Sequence, residues 1–150
     1  MAIRESVSGR VDAAPADVFG FLTDIAKLPD WNHAITEVVD APAQLVPGAE
    51  WKVRLHALGQ TWVSKSRVSE LDPATLRFSY RSQSDDGNPS YADWVWQVEP
   101  DRDGCTVSVS VALNPVTFWR KNLLVKIRRP SLRNEMHQSL RELGTATQTK

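Results

Sequence analysis

At 150 residues, 41% of them apolar, the chain is long enough to bury one continuous core, so a single domain over residues 1–150 is expected. One cysteine excludes an internal disulfide framework, and no apolar run approaches the ~20 residues of a membrane span. Eighteen basic residues balance eighteen acidic ones, and the first seven carry charge without an apolar leader. The expectation is a cytoplasmic chain with no transmembrane segment and no DNA partner.

Ile3 to Asp12 alternates, with Ile3, Val7 and Val11 on one parity and Arg4, Arg10 and Asp12 on the other, which predicts a half-buried strand. Pro15 then marks a first helical position, Asp17 lies in the first turn, and Val18, Phe19, Phe21 and Leu22 form a buried side. Asp24 to Asp30 is expected to add one short turn that Pro29 stops, after which Trp31, Asn32 and His33 enter a sheet.

From Ile35 the chain reads as a meander, because no segment between its strands is long enough to form a crossover helix. Pro47 and Gly48 precede a strand over Glu50 to Ala57. Gly59 turns into Gln60 to Leu71, and Asp72 and Pro73 turn into Thr75 to Ser82. Asp85 to Pro89 is a turn-rich loop leading to Tyr91 to Glu99, and Asp101 to Gly104 leads to Thr106 to Asn114.

Pro115 to Leu143 reads as a long amphipathic helix, with Leu132, Met136, Leu140 and Leu143 on one stripe. Val116, Trp119, Leu123 and Ile127 make an earlier stripe of the same period. Pro130 interrupts this helix, so a kink or break is expected near Arg128 to Ser131. Residues 116–150 hold eight basic and two acidic side chains, net +6, against −6 for the rest. A solvated helix face explains this asymmetry, and docking to an anionic lipid surface or RNA is the sharper alternative.

Charged residues in the strands set which face is wet. Lys52, Arg54 and His56 turn Trp51, Val53 and Leu55 inward; Lys65 and Arg67 do the same for Trp62, Ser64, Ser66 and Val68. Arg77 and Arg81 turn Leu76, Phe78 and Tyr80 inward, while Asp93, Gln97 and Glu99 do so for Trp94, Trp96 and Val98. In the last strand Val107, Val109, Val111 and Leu113 face in. Large rings beside the small hydroxyls Ser64 and Ser66 suggest a concave, ligand-binding surface, where a plain core would carry Val or Leu. Trp51, Trp62, Ser64, Ser66, Phe78, Tyr80, Trp94 and Trp96, with Trp119 from the helix, are the candidate ligand contacts.

In this order the elements form an α+β arrangement that resembles the helix-grip superfamily of START and Bet v 1-like proteins (SRPBCC). The nearest branch is similar to the small bacterial polyketide cyclase/dehydrase and lipid-transport group. The resemblance rests on Val11 to Phe19, Leu28-Pro29-Asp30-Trp31-Asn32, Pro47-Gly48, and Trp96 to Pro100 followed by Gly104 to Val107. It implies a curved antiparallel seven-stranded sheet wrapped around the long C-terminal helix, two short helices after the first strand, and a hydrophobic cavity between sheet and helix.

No spacing of His33, His56, His137, Cys105 or the acids matches a metal site, and no phosphate-binding glycine loop or G-x-S-x-G elbow occurs. No metal or cofactor is expected, and Cys105 reads as a small core residue. Three function classes follow. The first is binding of a hydrophobic or aromatic small molecule, lipid or polyketide-like. The second is a cyclase or dehydratase acting by positioning, with Tyr80 and Ser64 or Ser66 orienting a carbonyl. The third is an interaction protein using the basic helix face.

Overall fold

Charges at alternate positions leave each strand one apolar face, and a sheet with one apolar face folds only by covering it. The computed structural model describes residues 3–32, 34–57, 59–84, 90–114 and 125–148; the side chains of residues 3, 57, 125–132 and 148 are outside that description. Its strands are β1 (Ile3–Val11), β2 (Ile35–Asp40), β3 (Glu50–Ala57), β4 (Gln60–Asp72), β5 (Arg77–Ser84), β6 (Tyr91–Asp101) and β7 (Gly104–Asn114). They form one antiparallel seven-stranded sheet in the order β1-β7-β6-β5-β4-β3-β2. The meander is thus continuous from β2 to β7, and β1 closes beside β7.

Between β1 and β2 lie α1 (Pro15–Leu22), a 3-10 turn (Ile25–Lys27) and α2 (Leu28–Trp31). Pro15 opens α1, which buries Val18, Phe19, Phe21 and Leu22 as expected. Pro29, expected to stop a turn, instead falls in the first turn of α2, where its missing N–H would have had no helical partner anyway. Trp31 ends that helix and is buried, so it does not enter the sheet; His33 lies outside the described residues.

The last helix, α3, runs Val125–Gln148. The expected start at Pro115 lies outside the described residues, and the helix extends five residues past Leu143. No break occurs at Pro130. The ring removes one i→i−4 hydrogen bond, and the helix runs through that loss without interruption. The described half of α3 lies along β1. Arg133 bonds Glu5 at 3.0 Å, a Cβ added to Gly9 would touch Leu140 at 3.8 Å, and one on Gly144 would touch Val11 at 3.7 Å. Met136, Leu140 and Leu143 thereby join Val7, Val11, Phe19 and Leu22 in the core.

The β4–β5 connection shows how local chemistry adjusts the predicted strand. Thr75 and Leu76 belong to the turn, not to the strand expected from Thr75. Asp72 accepts the amides of Ala74 at 3.0 Å and Thr75 at 3.4 Å. Hydrogen bonding from Thr75 and Ala74 holds its carboxyl below the ordinary carboxylate range. Leu76 takes a left-handed φ of 57°, a conformation costing roughly 1–2 kcal/mol outside glycine. Its carbonyl accepts the Val98 amide at 3.0 Å and Gln97 Nε2 at 3.2 Å, which holds it in place.

Gly104 starts β7 against the backbone of Val11 and Asp12; an added Cβ would sit on the Val11 carbonyl oxygen. Gly104→Ala must push β1 away from β7, and overpacking of this kind costs typically about 1–3 kcal/mol. The expected result is a melting temperature lower by roughly 3–10 °C in calorimetry. An unchanged value would show that the β1 end gives way freely.

Candidate functional site

Residues directly opposite in an antiparallel pair share a face, so the register maps the concave side row by row. One row runs Glu5, Val111, Trp94, Tyr80, Val68. Toward the start of β1, the next runs Leu113, Ala92, Ser82, Ser66, Trp51. Beyond it Ser84, Ser64 and Val53 are paired, and then Trp62 and Leu55. Ser64, Ser66, Ser82 and Ser84 thus form a two-by-two block of hydroxyls on adjacent strands, with the short Ala92 beside it.

Rings surround that block. Tyr80 stands between Trp51, edge-on at 4.9 Å between centroids, and Trp94, stacked at 6.3 Å. Phe78 lies 5.1 Å from Tyr80 and 6.0 Å from Trp51, and Trp96 meets Trp31 edge-on at 5.3 Å. The polar edges are matched: Trp94 Nε1 donates to Ser82 Oγ at 3.1 Å, Trp96 Nε1 to the Tyr80 hydroxyl at 3.2 Å, and Ser64 Oγ to the Gln83 carbonyl at 3.1 Å. Trp31 Nε1 is buried and has no hydrogen-bond partner among the described residues. It lies in the closed core and takes no part in the concave surface.

Burial grades along this face. Rows toward the end of β1, with Phe78, Trp96, Val98, Val107 and Val109, are closed over by the helices. In the rows toward its start, Trp62, Ser82, Ser84, Ala92, Trp94 and Leu113 remain half-buried, as does Tyr80. Of the sequence candidates, Trp62, Tyr80 and Trp94 therefore keep accessible surface on the concave side. Trp51, Ser64, Ser66, Phe78 and Trp96 are buried behind and beside them, and Trp119 lies outside the described residues. The parity reading holds in coordinates: His56 is exposed, and the side chains of Lys65 and Arg77 are each 42% exposed.

Tyr80 has the most perturbed chemistry here. Burial pushes its hydroxyl pKa up to about 12, against the smaller opposing effect of the Trp96 N–H bond. The group is a neutral acid at physiological pH. It accepts from Trp96, while its own proton has no acceptor among the described residues.

Two features escaped the sequence reading. Ser82 and Ser84 continue the parity of Phe78 and Tyr80, so extending β5 by one pair would have found the hydroxyl block. Glu5 shares the parity of Val7 and Val11 and is the one charged side chain of the sheet on the concave face among the described residues. Its side chain is 11% exposed and bonded by Arg133. Cys105 is a core residue, as expected, and burial pushes its thiol pKa up. Among the described residues no group of three or more potential ligands is arranged around a metal position, and no helix is long and apolar enough to cross a membrane.

Known proteins share this geometry. The Zhui aromatase/cyclase from a Streptomyces species matches at a TM-score of 0.83 with 12% identity, over 99% of this chain and 94% of that one. Ara h 8.0201 matches at 0.77 with 16% identity over 100% of both chains. The di-domain aromatase/cyclase StfQ of the steffimycin biosynthetic pathway matches at 0.79 with 14% identity, this chain covering 51% of it. At these identities the likeness establishes the Bet v 1-like helix-grip fold. No curated protein matches the chain in sequence. The profile of the polyketide cyclase / dehydrase and lipid transport family, in contrast, matches residues 3–148, nearly the whole length. The chain therefore belongs to the polyketide cyclase / dehydrase and lipid transport family of the helix-grip (SRPBCC) superfamily.

Proposed function

We propose that the protein binds a hydrophobic, ring-containing small molecule on the concave face, over Trp62, Tyr80 and Trp94. The observation that carries this is the burial gradient: these large rings stay half-open beside Ser82 and Ser84, whereas the far end of the same face is closed. A sheet that used the face only for packing would close it throughout. Family membership and the aromatase/cyclase neighbours agree with such a ligand. Rings supply apolar contact area, and the Tyr80 proton supplies one directional contact, to a carbonyl oxygen.

A second reading, cyclase or dehydratase chemistry by positioning, is favoured by that same hydroxyl. A neutral phenol beside a bound carbonyl can hold a reactive chain in one orientation and donate a hydrogen bond as charge develops on the oxygen. The basic-face alternative rests on Arg120, Lys121, Lys126, Arg128, Arg129 and Arg133; of these only the Arg133 side chain is described, and it bonds Glu5.

Tryptophan-fluorescence titration with an aryl ketone and the matching arene tests the binding reading. Both should quench, and Tyr80→Phe should weaken the ketone about 3–10-fold, the equivalent of one hydrogen bond, while leaving the arene unchanged. No quenching by either probe would sink the proposed site. Equal ketone affinity in both proteins would remove Tyr80 from it.

A further inference from the structure

A separate recess of about 460 Å³ lies on the opposite, outer face of the sheet, where β1, β7 and β6 run side by side. The register explains it. Arg4 pairs with Ala112 and Ala112 with Asp93, while Ser6 pairs with Ser110 and Ser110 with Val95. Short side chains at Ser6, Ser110 and Ala112 make a floor between taller walls. The wall on β6 is rigid: Arg81 donates to both Asp93 oxygens, at 2.7 and 3.0 Å, and its guanidinium lies 3.9 Å from the centroid of the Tyr91 ring.

The charge balance of this recess is uneven. Asp93 is neutralised by Arg81, and Glu5, at the border, by Arg133. Arg4, on the opposite wall, has no ion-pair partner among the described residues, so one positive charge is left over. Asn114 donates its amide N–H to the Ala112 carbonyl at 3.2 Å, which leaves its side-chain oxygen to accept. With the Ser6 and Ser110 hydroxyls, this gives three neutral hydrogen-bonding groups around one cation.

We propose that this outer recess is a second binding site, for a small hydroxylated monocarboxylate. Its carboxylate would sit on Arg4 and its hydroxyls on Ser6, Ser110 and Asn114. A guanidinium fork matches a carboxylate in two parallel bonds. One uncompensated charge suits a monoanion. The hydroxyls of Ser6 and Ser110 beside the small apolar patch of Ala112 and Val95 suit a small hydroxylated body with a carbon backbone, not the large rings of the concave-face ligand.

The test is amide-resolved NMR of the full chain titrated with gluconate. The expected result is saturable shifts at Ser6, Ser110, Ala112 and Asn114 with the tryptophan indole signals unmoved. Arg4→Gln should weaken binding about tenfold, the loss of one charge-assisted contact. Ala112→Leu, which fills the floor, should abolish binding with the rest of the spectrum intact. Absence of saturable shifts, equal affinity in Arg4→Gln, or shifts confined to the indoles would each overturn the proposal. Acetate binding as tightly as gluconate would overturn the ligand class.

Discussion

A chain ending at residue 131 will not melt cooperatively and will aggregate. The truncation removes Met136, Leu140 and Leu143, each nearly or fully buried, and uncovers Val7 and Val11 on β1 and the α1 side chains that share their core. Burying a side chain of this size contributes roughly 1.5–3 kcal/mol, so these three alone supply about 5–9 kcal/mol. Domains have only about 5–15 kcal/mol of net stability, so the loss is comparable with the whole. Losing the Glu5–Arg133 contact adds to it, because one charge-assisted bond to a largely buried side chain goes with the helix. Calorimetry and sedimentation of the truncated chain decide the matter. A monomer with a single sharp transition would show that the sheet and the two short helices fold without α3.

Alkaline solution should destabilise the protein specifically through Tyr80. Its pKa is about 12 in the folded chain against an ordinary value of 10, because burial disfavours the phenolate. The folded state therefore holds its proton more tightly than the unfolded chain does. Stability from this group is fully present below pH ~10 and is lost as pH rises from ~10 to ~12. A two-unit gap corresponds to at most about 2–3 kcal/mol, or roughly 5–10 °C in melting temperature for a chain of this length. Tyr80→Phe removes the titrating group but keeps the ring contacts with Trp51, Phe78 and Trp94. Between pH 9 and 11.5, approximate limits set by those two pKa values, wild type should lose stability faster than Tyr80→Phe. Parallel curves for the two proteins would show that the hydroxyl is hydrated.

The concave face illustrates how far one-dimensional information reaches. Trp94, Trp96, Phe78 and Tyr80 were assignable to the inner side because period-two alternation is a property of the backbone, and outward Arg77, Arg81, Asp93 and Gln97 fix its phase. The same rule carried Ser64 and Ser66 inward. It missed Glu5 because a lone acid among apolar residues of one parity conflicts with the expectation that charge faces water; Arg133, 128 residues away, bonds it there. The turn at Thr75 and Leu76 was missed for a local reason: a leucine at φ 57° is held there by tertiary bonds from Val98 and Gln97.

The meander order from β2 to β7, the faces of its strands and the pairing of a long helix with an apolar face were therefore determined by the sequence, whereas the closure of β1 against β7 was not. They follow from periodicity and turn chemistry, which act over a few residues at a time. Which part of the concave face stays open was decided by the tertiary structure alone. Openness depends on where α3 comes to lie, and that is set by Met136, Leu140 and Leu143 packing with Val7 and Val11 on β1. The same holds for the Ser64, Ser66, Ser82 and Ser84 block. Each serine is an ordinary strand residue in its own segment, and they become one surface only when the register places Ser64 opposite Ser84 and Ser66 opposite Ser82. Register is a long-range quantity, fixed by the bulge between Val68 and Glu70 and by packing of all rows at once.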